Sequence, residues 1–185
     1  MKKIAILASG NGSNAEEIMK YFQGSQKGKV ILIGSNKKEA FVLERARKFG
    51  IDSFIFNKTE MEDGGVTKRL QENKVDFVVL AGFLLKIPDN LLHAYPNQII
   101  NIHPALLPKY GGKGMYGTKV HEAVKASGDK QTGITIHLVN ENYDEGKIIF
   151  QAAVSISPED DSEAIAKKVH QLEYKYFPNV IESLL

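Results

Sequence analysis

The chain has 185 residues, of which 43% are hydrophobic, enough to bury a real core in one domain. Twenty-four Lys and Arg against 22 Asp and Glu leave a formal charge of +2, which gives no argument for nucleic acid or an anionic membrane surface. There is no cysteine, hence no disulfide framework and no thiolate metal site, and no apolar run approaches the ~20 residues a spanning helix needs. The chain starts straight into a short apolar strand instead of a signal-peptide core, so a cytoplasmic protein is expected.

Residues 4–8 form a continuous apolar run, the pattern of a parallel strand covered on both faces. A turn, Ser9-Gly10-Asn11-Gly12-Ser13-Asn14, leads into a helical pattern over 15–22. Strand, glycine turn and helix together place backbone N–H groups and a helix N-terminus around an anion. Gly10, Gly12 and Ala15 also fit the dinucleotide fingerprint, but the second strand, 30–33, ends in Ser35-Asn36-Lys37-Lys38. No acid stands there for a ribose 2′-hydroxyl, which argues against NAD, while the two lysines leave NADP open. A helix over 40–49 ends at Gly50, and 53–56 is a short strand. Residues 58–65 read as polar and mobile, and 66–73 as a weak helix.

Residues 77–81 are a further buried strand, and Gly82 to Pro88 follow it with Phe83, Leu84, Leu85 and Ile87. Apolar side chains at a strand's carboxyl end are ordinary core, yet they also suit a flat ring that wants an apolar slot edged by backbone polar groups. A helix over 88–95 leads to the strand that begins at Gln98-Ile99-Ile100 and continues as Asn101-Ile102-His103. Asn101 and His103 are two positions apart, so on a strand their side chains point the same way while Ile102 points into the core. The pair combines an amide donor with an imidazole that exchanges a proton near neutral pH, the two groups acyl transfer requires. Pro104 and Pro108 then end the ladder and stiffen the exit.

The segment 109–117 is rich in glycine and lysine and reads equally as a flexible surface loop or a phosphate contact. Residues 119–127 form a helix stopped by Gly128, with His121 structural or exposed. Residues 132–139 alternate, with Ile134, Ile136 and Leu138 on one face and Thr135 and His137 on the other. An acidic turn over 140–146, a last strand over 148–156, and a long helix starting near Ser162 complete the chain. Ile165, Val169, Leu172 and Tyr176 make that helix's apolar stripe, with Glu173 beside it. The alternation of strands and helices predicts an α/β, doubly wound, mostly parallel mixed sheet in a single domain, with ligands beyond the strand carboxyl ends.

The run Asn101-Ile102-His103-Pro104-Ala105-Leu106-Leu107-Pro108 resembles the signature of the folate-dependent formyltransferases, and the likeness extends nearly end to end. The branch nearest in pattern is the one that formylates glycinamide ribonucleotide in purine biosynthesis. The resemblance implies a Rossmann-like formyltransferase fold and 10-formyltetrahydrofolate as co-substrate, with no metal. It implies an oxyanion role for Asn101, a proton-transfer role for His103, and Asp144 as the group that orients His103 and raises its pKa. It puts the ribonucleotide phosphate on Gly12, Ser13 and Asn14, and the ribose hydroxyls near His170 and Glu173. It puts the folate against Leu84, Leu85, Lys86 and Ile87, with Asn101, Asn140, Glu141 and Tyr143 beside it. Thr135 and His137 would support the catalytic pair from behind. Residues 1–97 would then be the phosphate-binding half and 98–185 the catalytic and folate-binding half.

The same resemblance and the turn position together predict a cis bond at Leu107-Pro108. The sequence departs from the family at Leu85, where many relatives have arginine, and at His170, where Lys or Gln is usual. No residue matches the arginine that relatives carry near 58–73. Small molecules are the expected partners, with no nucleic acid or membrane, and the chain is expected to be a monomer or weak homodimer. Two other formyltransferase-like activities, on methionyl-tRNA and as a formyltetrahydrofolate hydrolase, go with an extra domain for which 185 residues leave no room. An NADP-binding oxidoreductase or nucleotide sensor built on Gly10 and Gly12 leaves Asn101, His103 and Asp144 unexplained.

Overall fold

The computed structural model describes residues 1–185. Strands β1 (Lys2–Leu7), β2 (Gly28–Ser35), β3 (Asp52–Ile55), β4 (Phe77–Leu80) and β5 (Ile99–His103) pair in parallel. β6 (Gln131–Leu138) and β7 (Ile148–Ser155) add on antiparallel, giving the order β3-β2-β1-β4-β5-β6-β7. This is the doubly wound, mostly parallel mixed sheet the alternation predicts.

Strand alternation divides the core in two. Ile4 and Ile6 of β1 join one apolar layer and Ala5 and Leu7 the other, all fully buried. A strand covered on both faces has no place for a polar side chain, which is why β1 reads as one apolar run. Helices α1 (Ser13–Phe22) and α2 (Val42–Lys48) cover the first layer. The chain then crosses to the other face with α3 (Lys58–Glu62), α4 (Gly65–Glu72) and α5 (Asp89–Ala94), and returns with α6 (Thr118–Ser127) and α7 (Ser162–Ser183). β1 lies between β2 and β4, and the helices that follow these strands leave toward opposite faces, which opens a crevice at the carboxyl ends. No helix is long and apolar enough to cross a membrane.

The stretch expected to be polar and mobile, 58–65, instead carries α3 and the start of α4. Asn57 Oδ1 accepts from Glu60 N at 2.9 Å, and the Glu60 carboxylate accepts from Asn57 N at 2.7 Å. This reciprocal cap satisfies two free donors at once and lets five residues form a helix, with Met61 buried beneath them. α2 begins at Val42, later than expected, because residues 37–41 are occupied by turns. The Leu107-Pro108 bond is cis, as expected.

Candidate active site

β5 presents its two chemical groups as the alternation requires. Ile100 and Ile102 enter the larger apolar layer, while Asn101 and His103 face the other way. β6 runs alongside in a register that sets His137 opposite Asn101 and Thr135 opposite His103. Thr135 and His137 are therefore buried, although a strand with one polar face is usually solvated on that face.

Each of these partners fixes a neighbour. Thr135 Oγ1 donates to Ala105 O at 2.7 Å and accepts from Leu107 N at 3.0 Å and Gln151 Nε2 at 2.9 Å. Gln151 Nε2 also donates to Leu107 O at 3.1 Å, so two side chains hold the turn that leaves β5. His137 Nδ1 donates to Leu138 O at 2.8 Å, which makes Nε2 the acceptor for the Asn101 amide at 3.2 Å. One amide hydrogen of Asn101 is thus engaged from behind and the other is left for the cavity.

Asp144, 41 positions beyond His103 in sequence, reaches both histidines. Its Oδ2 lies 3.5 Å from His103 Nδ1 and its Oδ1 3.5 Å from His137 Nε2. Gly112 N donates to Oδ2 at 2.9 Å, tying the glycine-rich segment to the carboxylate. Burial alone would raise the Asp144 pKa, but His137, the His103 ring and the Gly112 N–H together outweigh it and hold the carboxyl below the ordinary value. His103 behaves otherwise than expected. Its burial depresses the pKa more than Asp144 and the Tyr110 carbonyl raise it, so the ring lies below the usual 6.5. Asp144 pushes in the expected direction and is outweighed by desolvation. His103 Nε2 donates to Tyr110 O at 2.7 Å, leaving Nδ1 toward Asp144.

These groups stand in the wall of a cavity of about 630 Å³ at the carboxyl ends of the strands, a size usual for small-molecule sites. Gly10 to Asn14 line it together with Glu173 and His170 of α7. Asn14 Nδ2 and His170 Nδ1 both donate to Glu173 Oε2, each at 2.8 Å. That bond is the main reason the His170 pKa is raised, against the effect of burial. His170 also stacks on Tyr174, with ring centroids 5.9 Å apart.

Leu84 to Ile87 line the same cavity, as do Asn140, Asn142 and Tyr143. Ser9 Oγ accepts from Leu84 N at 3.0 Å and donates to Asn36 Oδ1 at 2.6 Å, so the Leu84–Ile87 stretch is fastened to the turn after β1. Glu141, expected beside the folate, is exposed and does not line the cavity. Asn142 N donates to Asn140 Oδ1 at 3.0 Å, and this local turn reverses the chain so that Glu141 faces out. Arg69, the arginine on the 58–73 stretch, lies over the Phe54 ring and outside the cavity. Lys37 and Lys38, the basis of the NADP alternative, are outside it as well.

Three contributors escaped the sequence pattern. His121 is 3% exposed, lines the cavity and has no partner for Nδ1. The sequence leaves it structural or exposed, because one polar residue on an amphipathic helix gives no sign of which face it occupies. Burial lowers its pKa, and the nearby His170 adds to the effect. Gln151 and Ser9 act through loops distant in sequence and carry no motif. The glycine-rich segment borders the cavity through Gly112 to Gly117, with Gly114, Tyr116 and Gly117 exposed and Tyr110 bonded to His103.

An amide donor, an imidazole and a carboxylate, gathered at the carboxyl edge of a doubly wound sheet, make this a site for acyl-group transfer. The chain belongs to the formyl transferase family, whose sequence model matches residues 2–181. It is 45% identical over 99% of its length to the chloroplastic phosphoribosylglycinamide formyltransferase of Arabidopsis thaliana, and spans 65% of that protein. The Vigna unguiculata counterpart is 42% identical, and the chain spans 61% of it. The phosphoribosylglycinamide formyltransferase of Bacillus subtilis is 40% identical over 100% of this chain and 95% of its own. The crystal structure of phosphoribosylglycinamide formyltransferase from Bacillus halodurans superposes with a TM-score of 0.90 at 37% identity, covering 100% of this chain and 95% of the other.

Proposed function

We propose that this chain transfers the formyl group of 10-formyltetrahydrofolate to the amine of N1-(5-phospho-D-ribosyl)glycinamide, giving the N2-formyl product and tetrahydrofolate, a step of purine biosynthesis. The observation that carries this is that Asn101, His103 and Asp144 line one cavity together with two unlike sets of groups. The turn after β1 offers backbone N–H groups, which suit a phosphate. The Leu84–Ile87 stretch is an apolar slot edged by backbone, which suits a pterin ring. Relatives that share the whole chain bear the corresponding name.

On this proposal Gly12, Ser13 and Asn14 hold the phosphate, and Glu173, steadied by His170 and Asn14, meets the ribose hydroxyls. Leu84 to Ile87 receive the folate ring, with Leu85 contributing through its backbone. The phosphate turn belongs to residues 1–97 and the catalytic groups to 98–185, and the slot is shared between the halves. Every group comes from one chain, which suits a monomer or weak homodimer. Both substrates are water-soluble anions, which suits the cytoplasm.

The amine nitrogen adds to the formyl carbon, and the carbonyl oxygen takes on negative charge toward the free N–H of Asn101. The added nitrogen must lose a proton, and the folate nitrogen must gain one as its bond to carbon breaks. His103, neutral at pH 7 because of its burial, takes the first proton and returns it to the leaving nitrogen. Asp144, held ionised, stabilises the imidazolium formed between the two transfers.

Mixing the protein with the ribonucleotide and 10-formyltetrahydrofolate tests this through the absorbance of the folate product. Product formation that requires the ribonucleotide is expected. Equal formation without it, with water as acceptor, would overturn the proposal.

A further inference from the structure

The turn after β1 owes its shape to a neighbouring helix. Three consecutive carbonyls of the turn are engaged from the protein side. Gly10 O accepts from Val42 N of α2 at 3.2 Å, and Gly12 O from Glu16 N of α1 at 2.9 Å. Between them, Asn11 O accepts from Arg45 Nε at 2.9 Å. Arg45 also donates through Nη2 to Asn11 Oδ1 at 2.7 Å, and through Nη1 to the Glu16 carboxylate. One guanidinium thus grips the backbone and side chain of Asn11 and anchors both to α1. Its side chain is only 16% exposed.

In a trans peptide the N–H of one residue points opposite to the carbonyl of the residue before it. Holding the carbonyls of Gly10, Asn11 and Gly12 toward α1 and α2 therefore turns the N–H groups of Asn11, Gly12 and Ser13 the other way. None of these three N–H groups has an acceptor within the chain, and all three residues line the cavity. We infer that Arg45 is a positioning residue for the phosphate turn of the site: through Asn11 it fixes the backbone donors that receive the ribonucleotide phosphate, without touching the phosphate itself. Its charge is engaged by Glu16, so its action is geometric and not one of long-range attraction. This rests on the assignment of the phosphate to the Gly10–Asn14 turn.

The test is steady-state kinetics of wild type, Arg45→Met and Arg45→Lys, with inorganic phosphate as inhibitor. In wild type, phosphate should compete with the ribonucleotide and not with the folate. Lack of competition would refute the phosphate assignment itself. Given competition, Arg45→Met should raise the ribonucleotide KM and the phosphate inhibition constant together, by roughly 10-fold or more, as expected for two lost hydrogen bonds from a charged donor. The folate KM and kcat should stay within about twofold, a split that general destabilisation would not give. Arg45→Lys keeps the charge but lacks the planar fork, and should remain close to Arg45→Met. Unchanged phosphate competition in Arg45→Met, or full recovery in Arg45→Lys, would overturn the inference while leaving the phosphate assignment intact. Should Arg45→Met fail to fold, Asn11→Ala leaves α2 and Arg45 in place and removes the side-chain half of the grip. It should weaken phosphate and ribonucleotide alike with the folate KM unmoved, and an equal rise in both substrate KM values would contradict the inference.

Discussion

At Asn101 the decisive feature is that one amide hydrogen is already occupied by His137, 3.2 Å away, so the side chain has a fixed orientation before substrate arrives. Removing it should lower kcat by about 10²–10³ with a modest change in KM, the usual effect of losing one oxyanion donor. Steady-state kinetics of Asn101→Ala checks this, and a loss wholly in KM would make Asn101 a substrate-positioning residue instead. That Asn101 and His103 share a side was legible from strand alternation alone. The sign of the His103 shift was not, because it depends on how deeply the ring is buried, and the sequence shows only a carboxylate to come. An NMR titration of the imidazoles should put His103 below 6.5. In Asp144→Asn the midpoint should fall further, since the carboxylate is a raising influence. A midpoint above 7 in the wild type would contradict the neutral-histidine route.

Among the elements, β6 shows how a strand can hold chemistry without performing it. Thr135 is fully buried and bonds the exit turn of β5 twice, at Ala105 O and Leu107 N, with Gln151 as second support. Thr135→Val keeps the shape and leaves Leu107 N without its acceptor, so a loss of about 1–3 kcal/mol in unfolding free energy is expected by denaturant titration. The phosphate turn makes a second contrast. A side chain at Gly12 would need φ of +75° and would meet Val42 Cβ at 2.5 Å, whereas nothing lies within 4 Å at Gly10. Gly12→Ala should therefore disturb the turn and raise the ribonucleotide KM, and Gly10→Ala should be nearly silent. Equal effects would show that the turn is not shaped by its contact with α2. The sequence pattern of glycines could mark the turn but not tell these two apart, because the difference lies in a helix 30 residues on. The Asn57-x-x-Glu60 cap of α3 was readable in principle and lost in a polar stretch with few apolar positions.

For the molecule as a whole, two buried histidines make acid destabilising. His103 and His121 both have folded-state pKa values below 6.5, so the unfolded chain binds more protons as the pH falls through 6.5 toward those lower values. Stability contributed by keeping them neutral is present above 6.5 and lost below it. His170, raised by Glu173, acts in the opposite sense and is retained as the pH falls. Thermal melts at pH 7 and pH 5.5 should show a drop in Tm that is smaller in His121→Gln, and an unchanged drop would exclude His121 as a cause. The alternation of elements sufficed to foresee the sheet and where ligands lie on it, because a doubly wound fold leaves one crevice at its switch point. It could not foresee which loop residues face that crevice, as Glu141 and Asn142 show. The most direct measurement of the central claim follows a ¹³C-labelled formyl group from 10-formyltetrahydrofolate. Appearance of the label as an amide on the ribonucleotide, in step with tetrahydrofolate and strongly slowed in Asn101→Ala, is predicted. Release of the label as free formate would contradict it.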